Sequence, residues 1–366
     1  MPLEFNSTPE PYVGVELELQ LLDAETLALA GMAPAVLADV PPEMGPRIKP
    51  EFLACMVELN TAVCKDVKEA EGDLRESLAL LEEILARHGG VFFSASLHPF
   101  SEAGKQRVSN HPRYKRIMEE LQLIGRRFIA QGLHVHVGVA DRENAIKIFN
   151  AMRLYVPILL ALTTSSPYYQ GEDTGLFSYR TKLFEALPLA GMPDSLSTWE
   201  EFDRMAGLLL AGGVITSVKD LWWDVRPHPE FGTVEVRCAD MPLKFRDIMT
   251  LVALIQALVV TIDREEFYPD VNMQVLKSNK WQAARYGLDG AFVDPRSGKR
   301  YALRAAAEEL SDIMRPAARL LGSEAYLEGV GRILAEGTGA HALRELYGRT
   351  GDFREVVRLA REEFEA

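Results

Sequence analysis

From Val13 to Leu21 the segment YVGVELELQLL (residues 12–22) alternates without a break. Val13, Val15, Leu17, Leu19 and Leu21 share one parity, while Glu16, Glu18 and Gln20 share the other. Only an extended strand sorts residues this way, because its successive side chains point to opposite faces. The aliphatic face has to be buried and the glutamate face has to stay accessible, as in antiparallel sheets covered on one side. Glu16 and Glu18 then stand about 7 Å apart. Carboxylates so close repel unless water, an arginine or a cation neutralises them. A solvated face meets that demand, and so does a metal platform.

Other alternating segments favour the platform. Leu133–Val137 places His134 and His136 on one face, and Thr233–Cys238 places Thr233, Glu235 and Arg237 together. Trp223–Arg226 does the same for Asp224 and Arg226, and Glu51–Thr61 for Met56, Glu58 and Asn60. A lone His-x-His is more often a hydrogen-bonded pair, and a lone Glu-x-Arg a cross-strand ion pair. Jointly they describe the charged floor of a funnel. Its donors are mainly hard oxygens, which suit Mg²⁺ or Mn²⁺, and Cys55, Cys64 and Cys238 lie outside the pattern. Cations with arginines nearby are the apparatus of phosphoryl transfer.

Asp23–Pro50 reads as irregular and Glu51–Thr61 as a second strand. Asp66–His88 is an amphipathic helix stopped by Gly89-Gly90. Val91–Leu97 reads as a strand and His111–Ile129 as a helix. Asp141 caps a long helix towards Thr164 that Pro157 kinks or breaks. Ser165–Ser178 is a binding-length loop, and Ser197 with Glu200 forms a capping box for a helix ending at Gly212-Gly213. Leu221–Arg226 and Thr233–Cys238 pair as a hairpin through Pro227–Gly232, Phe245–Arg264 is a helix, and the chain from Tyr301 is helical. The expectation is an α+β fold in one domain, 1–366, with a largely antiparallel sheet, helices on its outer face, and 301–366 packed on it.

The formal charge of −13 repels nucleic acid and anionic lipid, so neither is an expected partner. Three cysteines without a paired motif, and no basic-then-apolar leader, indicate a reduced, cytoplasmic protein. Tyr155–Leu162 and Leu251–Ile262 are too short to span a membrane and read as buried helix.

Six segments resemble, in order, those of the carboxylate–amine ligases of the glutamate–cysteine ligase type 2 group. They are GVELELQLLD (14–23), VELNT (57–61), GLHVHVGVADRE (132–143), SSPYYQGEDTGLFSYRTKLFEALP (165–188), WWDVRPHPEFGTVEVRCAD (222–240) and NKWQAARYGLDG (279–290). The resemblance implies a glutamine-synthetase-like open funnel and an enzyme using ATP and Mg²⁺. Such an enzyme activates a carboxylate, typically the side chain of glutamate, as an acyl phosphate and joins it to an amine. Its partners are small amino acids and amines. By the same resemblance, Glu16, Glu18, Glu58, Glu235 and a histidine of the His134/His136 pair hold metal. Glu51, seven residues before Glu58, joins them. Arg237 with Arg180 and Glu235 is catalytic, and Arg226, Arg237, Lys280 and Arg285 contact the nucleotide or a substrate carboxylate. Trp223 and Tyr179 are candidate walls, although packing is the commoner role of such residues. His98 stands where the family has a different local sequence, which weighs against a substrate contact. The amine acceptor is not legible, and the helical C-terminal third offers surfaces for a homodimer. Two alternatives are a metal-dependent hydrolase and a nucleotide-binding protein without turnover.

Overall fold

The computed structural model describes residues 3–264 and 271–364. Seven strands form one sheet: β1 (Val13–Asp23), β2 (Ile48–Pro50), β3 (Met56–Asn60), β4 (Gly90–Phe93), β5 (Gly132–Gly138), β6 (Val225–His228) and β7 (Thr233–Asp240). The order is β6-β7-β5-β1-β3-β2, with β4 beside the C-terminal end of β1, and every pairing is antiparallel. The aliphatic parity of β1 sorts as expected, but the other face is not open, because Glu18 and Gln20 are buried too. Val13, Val15, Leu17, Leu19 and Leu21 are all buried in one apolar core.

That core is closed by the helices α1 (Val67–Arg87), α4 (Arg142–Thr163) and α7 (Phe245–Arg264), and it continues into the C-terminal helices as far as Phe364. Asp66 caps α1 through the amide of Glu69, and Asp141 caps α4 through the amides of Glu143 and Asn144. Pro157 does not break α4; the helix runs on to Thr163 with nearly every residue of that half buried. Both α4 and α7 are long and apolar enough to cross a membrane by length and composition, contrary to the reading of their short apolar stretches. Both are largely buried within the fold, as core helices are.

Four expectations are corrected. The stretch 23–50 contains a short helix, Ala33–Ala38, and strand β2. Strand β3 begins only at Met56, so Glu51 sits in the approach to it. The 111–129 helix is two, α2 (Pro112–Leu121) and α3 (Leu123–Arg127), divided at Gln122 with φ +50°. Thr198 caps the helix Trp199–Ala211, accepting from the amide of Glu201, in place of Ser197. The sheet's other face is also partly roofed. A second apolar cluster containing Phe52, Met56, Ile117, Leu121 and Leu187 covers one end of it with α2 and α5 (Arg180–Glu185).

Candidate active site

Cross-strand register brings the ionisable residues together. Glu16 lies opposite His134, Glu18 opposite Glu58, His136 opposite Glu235, and Glu235 opposite Arg226. Directly paired residues have Cβ atoms about 5 Å apart, so five strands converge on one floor. Above it lies a cavity of about 310 Å³ lined by Glu16, Glu18, Glu51, Glu58, His134, His136, Arg226, Glu235 and Arg237.

Within the floor are two groups whose donor atoms lie within 4.8 Å of one another: Glu16, His136 and Glu235, and Glu18, Glu51 and Glu58. In the first, Glu16 faces His134 Nδ1 at 3.1 Å and His136 Nε2 at 3.3 Å. Burial favours the neutral acid, but the two imidazoles outweigh it and hold Glu16 well below the carboxylate range. Glu235 is likewise held low against its burial by Arg226, Arg237 and His136. His136 is raised, since Glu235 and Glu16 overcome its desolvation, and its Nδ1 meets the Thr233 hydroxyl at 3.0 Å. His134 is pushed down to about 4 by burial and by Arg237.

The second group behaves oppositely. Burial, with Glu51 beside it, pushes Glu18 up to about 8, and burial with Glu16 and Glu51 raises Glu58 well above its usual range. Burial also raises Glu51. Crowded together without enough cationic charge nearby, all three carboxyls are shifted towards their protonated forms.

The arginines differ. Arg226 donates Nε and Nη2 to Glu235 Oε2 at 3.0 and 2.6 Å, and Nη1 to the carbonyls of Lys219 and Leu221 at 3.0 and 2.9 Å. It is spent holding Glu235. Arg237 pairs with Glu235 Oε1 through Nη1, lines the cavity, and keeps a buried Nε without a hydrogen-bond partner.

The model of the glutamate–cysteine ligase family 2 matches residues 12–359. The chain belongs to that family. Proteins provisionally named glutamate–cysteine ligase 2 are similar over nearly their whole length. The one from Gloeobacter violaceus is 38% identical, with 98% of each chain covered, and the one from Sorangium cellulosum is 39% identical, with 94% of each covered. The fold is shared with a glutamate–cysteine ligase of Francisella tularensis crystallised with AMP (TM-score 0.73, 13% identity, 99% of this chain and 90% of that one). It is shared also with a bifunctional glutathione synthetase of Pasteurella multocida (TM-score 0.72, 16% identity, 97% of this chain and 52% of that one). The chain is a carboxylate–amine ligase, which sets aside the hydrolase alternative.

Against that family frame, three basic residues read from the motifs lie outside the lining of the cavity. Lys280 is buried and bridges Asp224 at 2.6 Å and Glu185 at 2.9 Å. Arg285 lies over the ring of its neighbour Tyr286. Arg180 is buried against the Phe184 ring, donating to the carbonyl of Arg237 at 3.3 Å. Gly132 makes room for it, since a Cβ there would stand 2.2 Å from its Nη2. Trp222, not Trp223, reaches the cavity; Trp223 packs on Phe149 and Phe202, and Tyr179 on Tyr169. His98 is a buried scaffold group with Nε2 on the Leu27 carbonyl and Nδ1 accepting from the Ser101 amide.

The motif reading missed Arg113, Tyr114, Phe128, Lys219, His228 and Phe231, all of which line the cavity. Only His228 and Phe231 lie in a quoted motif. The others come from segments whose local pattern carries no sign of the site.

Proposed function

We propose that this ligase transfers the γ-phosphoryl group of ATP to the side-chain carboxylate of glutamate and joins the resulting acyl group to an amine. ADP leaves in the first step. In the second the amine nitrogen bonds to the acyl carbon, the acyl–phosphate bond breaks, and the amine loses a proton. The observation that carries this reading is the pair of ligand clusters on one floor beside Arg237.

The donor set fits hard divalent cations. Glu18 Oε2 and the Nε2 atoms of His134 and His136 are buried without hydrogen-bond partners, and the three-carboxyl group is raised by its own crowding. We assign Glu16, His136 and Glu235 to one cation and Glu18, Glu51 and Glu58 to another, Mg²⁺ or Mn²⁺. Such ions, when bound, would neutralise the charge of the phosphates. Arg237 lines the cavity, keeps its Nε without a hydrogen-bond partner, and stabilises the charge that builds on the transferred group. His134, kept neutral, fixes the carboxylate of Glu16 through Nδ1. Arg226 positions Glu235. Apolar walls from Phe52, Leu121 and Phe128 limit water, whose attack on an acyl phosphate competes with the amine. Three buried, unpaired cysteines suit a reducing cytoplasm.

The test is ADP release with Mg²⁺, ATP, glutamate and a broad panel of amines including cysteine. Amine-dependent ADP formation is expected. Nucleotide binding with no amine-dependent turnover across the panel overturns the proposal.

A further inference from the structure

A second cavity, of about 330 Å³, adjoins the first and shares Glu16, Lys49, Asn60, His136 and Phe231 with it. It therefore opens beside the Glu16–His136–Glu235 cluster. The hydroxyl residues Thr8, Thr61 and Thr233 and the exposed Val63 are among its walls.

Phe231 stands between the two cavities, 48% exposed at the turn of the β6–β7 hairpin. The turn is nonetheless held firmly. The Asn6 amide donates to the Pro229 carbonyl at 2.9 Å, its side chain to Glu230 at 2.8 Å, and the Thr8 hydroxyl to Phe231 at 3.1 Å. Gly232 permits that strap, because its φ is +64° and a Cβ would collide with the Asn6 carbonyl. Beneath Phe231 the His228 ring stacks at 4.2 Å and 13°, and His136 meets Phe231 edge-on at 5.6 Å. His228 is 4% exposed, lines the first cavity, and has a buried Nδ1 with no partner. The Lys219 ammonium lies over the ring, 5.3 Å from the centroid, and is paired with exposed Glu230. Such an exposed pair is weak and leaves readily. A solvent-facing aromatic ring that is braced from behind presents a rigid platform for another flat ring.

We propose that Phe231 is the platform for the nucleotide base. The purine stacks on the face away from His228, the ribose lies among the hydroxyls of Thr8, Thr61 and Thr233, and the phosphates run to the Glu16–His136–Glu235 cluster. This rests on the ATP reading above and adds the residues that recognise the nucleoside.

Calorimetric titration of the full chain with Mg–ADP and with Mg–tripolyphosphate, which has phosphates but no base, tests it. Phe231→Ala should weaken ADP binding roughly 5- to 150-fold, the range of base–aromatic stacking losses, and leave tripolyphosphate binding unchanged. Phe231→Trp should keep ADP affinity and report binding through quenching of its fluorescence. Unchanged ADP affinity in Phe231→Ala, or equal loss of both ligands in a variant with wild-type circular dichroism, overturns the platform while leaving the ligase reading intact. Loss in Phe128→Ala in place of Phe231→Ala puts the base at the apolar end and overturns it too. A wild-type chain that binds neither ligand overturns both readings.

Discussion

Glu235 accepts from two guanidiniums, and they divide its two oxygens between them. Arg226 is fully enclosed with its partner, so Arg226→Leu leaves a buried carboxylate short of its clamp. The expected loss is on the order of 3–5 kcal/mol, read from urea denaturation of the metal-free protein; a change below about 1 kcal/mol would contradict the structural role. Glu16→Gln and Glu18→Gln each remove a charge that the proposed cations require. Each should bind Mg–ADP roughly tenfold or more weakly by calorimetry, and full affinity in both would overturn the assignment of these glutamates to the cations. His98 supplies a pH dependence remote from the site. Burial pushes it down to about 4, so the unfolded chain takes up its proton near 6.5 and the folded chain does not. Its contribution is full above pH 6.5 and is lost as pH falls to about 4, a loss of about 3 kcal/mol. Urea midpoints of His98→Gln should fall less steeply over that window than those of the wild type; parallel profiles would refute the assignment.

At the scale of elements, legibility followed periodicity. Strands β1, β5 and β7 announce themselves by alternation, and α1 and α4 by spacing and their aspartate caps. Parity misled at Trp223. Residues 222–223 pair in parallel with 190–191, and the main-sheet strand starts only at Val225, so Asp224 turns to Lys280 while Arg226 turns to Glu235. The break at Gln122 was equally hidden, because nothing in an amphipathic pattern marks a single positive φ. Gln122 adopts φ +50°, ψ −117°, a region that glycine enters far more easily. Gln122→Gly should therefore raise stability by about 1 kcal/mol in urea titration, and a destabilised variant would mean that the side chain matters more than the backbone strain.

For the whole molecule, the C-terminal helices share the core of the sheet: Leu303, Leu310, Met314, Ile333 and Phe364 belong to the same cluster as β1. We expect one folding unit. Removing residues 301–366 should abolish the cooperative thermal transition, and a truncated chain that melts cooperatively near the full-length midpoint would divide the domain. By itself the sequence determined which residues alternate, hence which carboxylates, imidazoles and arginines share a strand face, and its motifs carried the family. Those are local properties, set by the two-residue repeat of the strand. Only the tertiary structure decided that Glu16 stands within reach of His136 and Glu235, and Glu18 of Glu51 and Glu58, since register joins strands far apart in the chain. It also decided that Arg226 is spent on Glu235, that Lys280 is tied up elsewhere, and that α2 and Phe231 wall the site. Those outcomes depend on packing between segments whose own patterns say nothing of their neighbours.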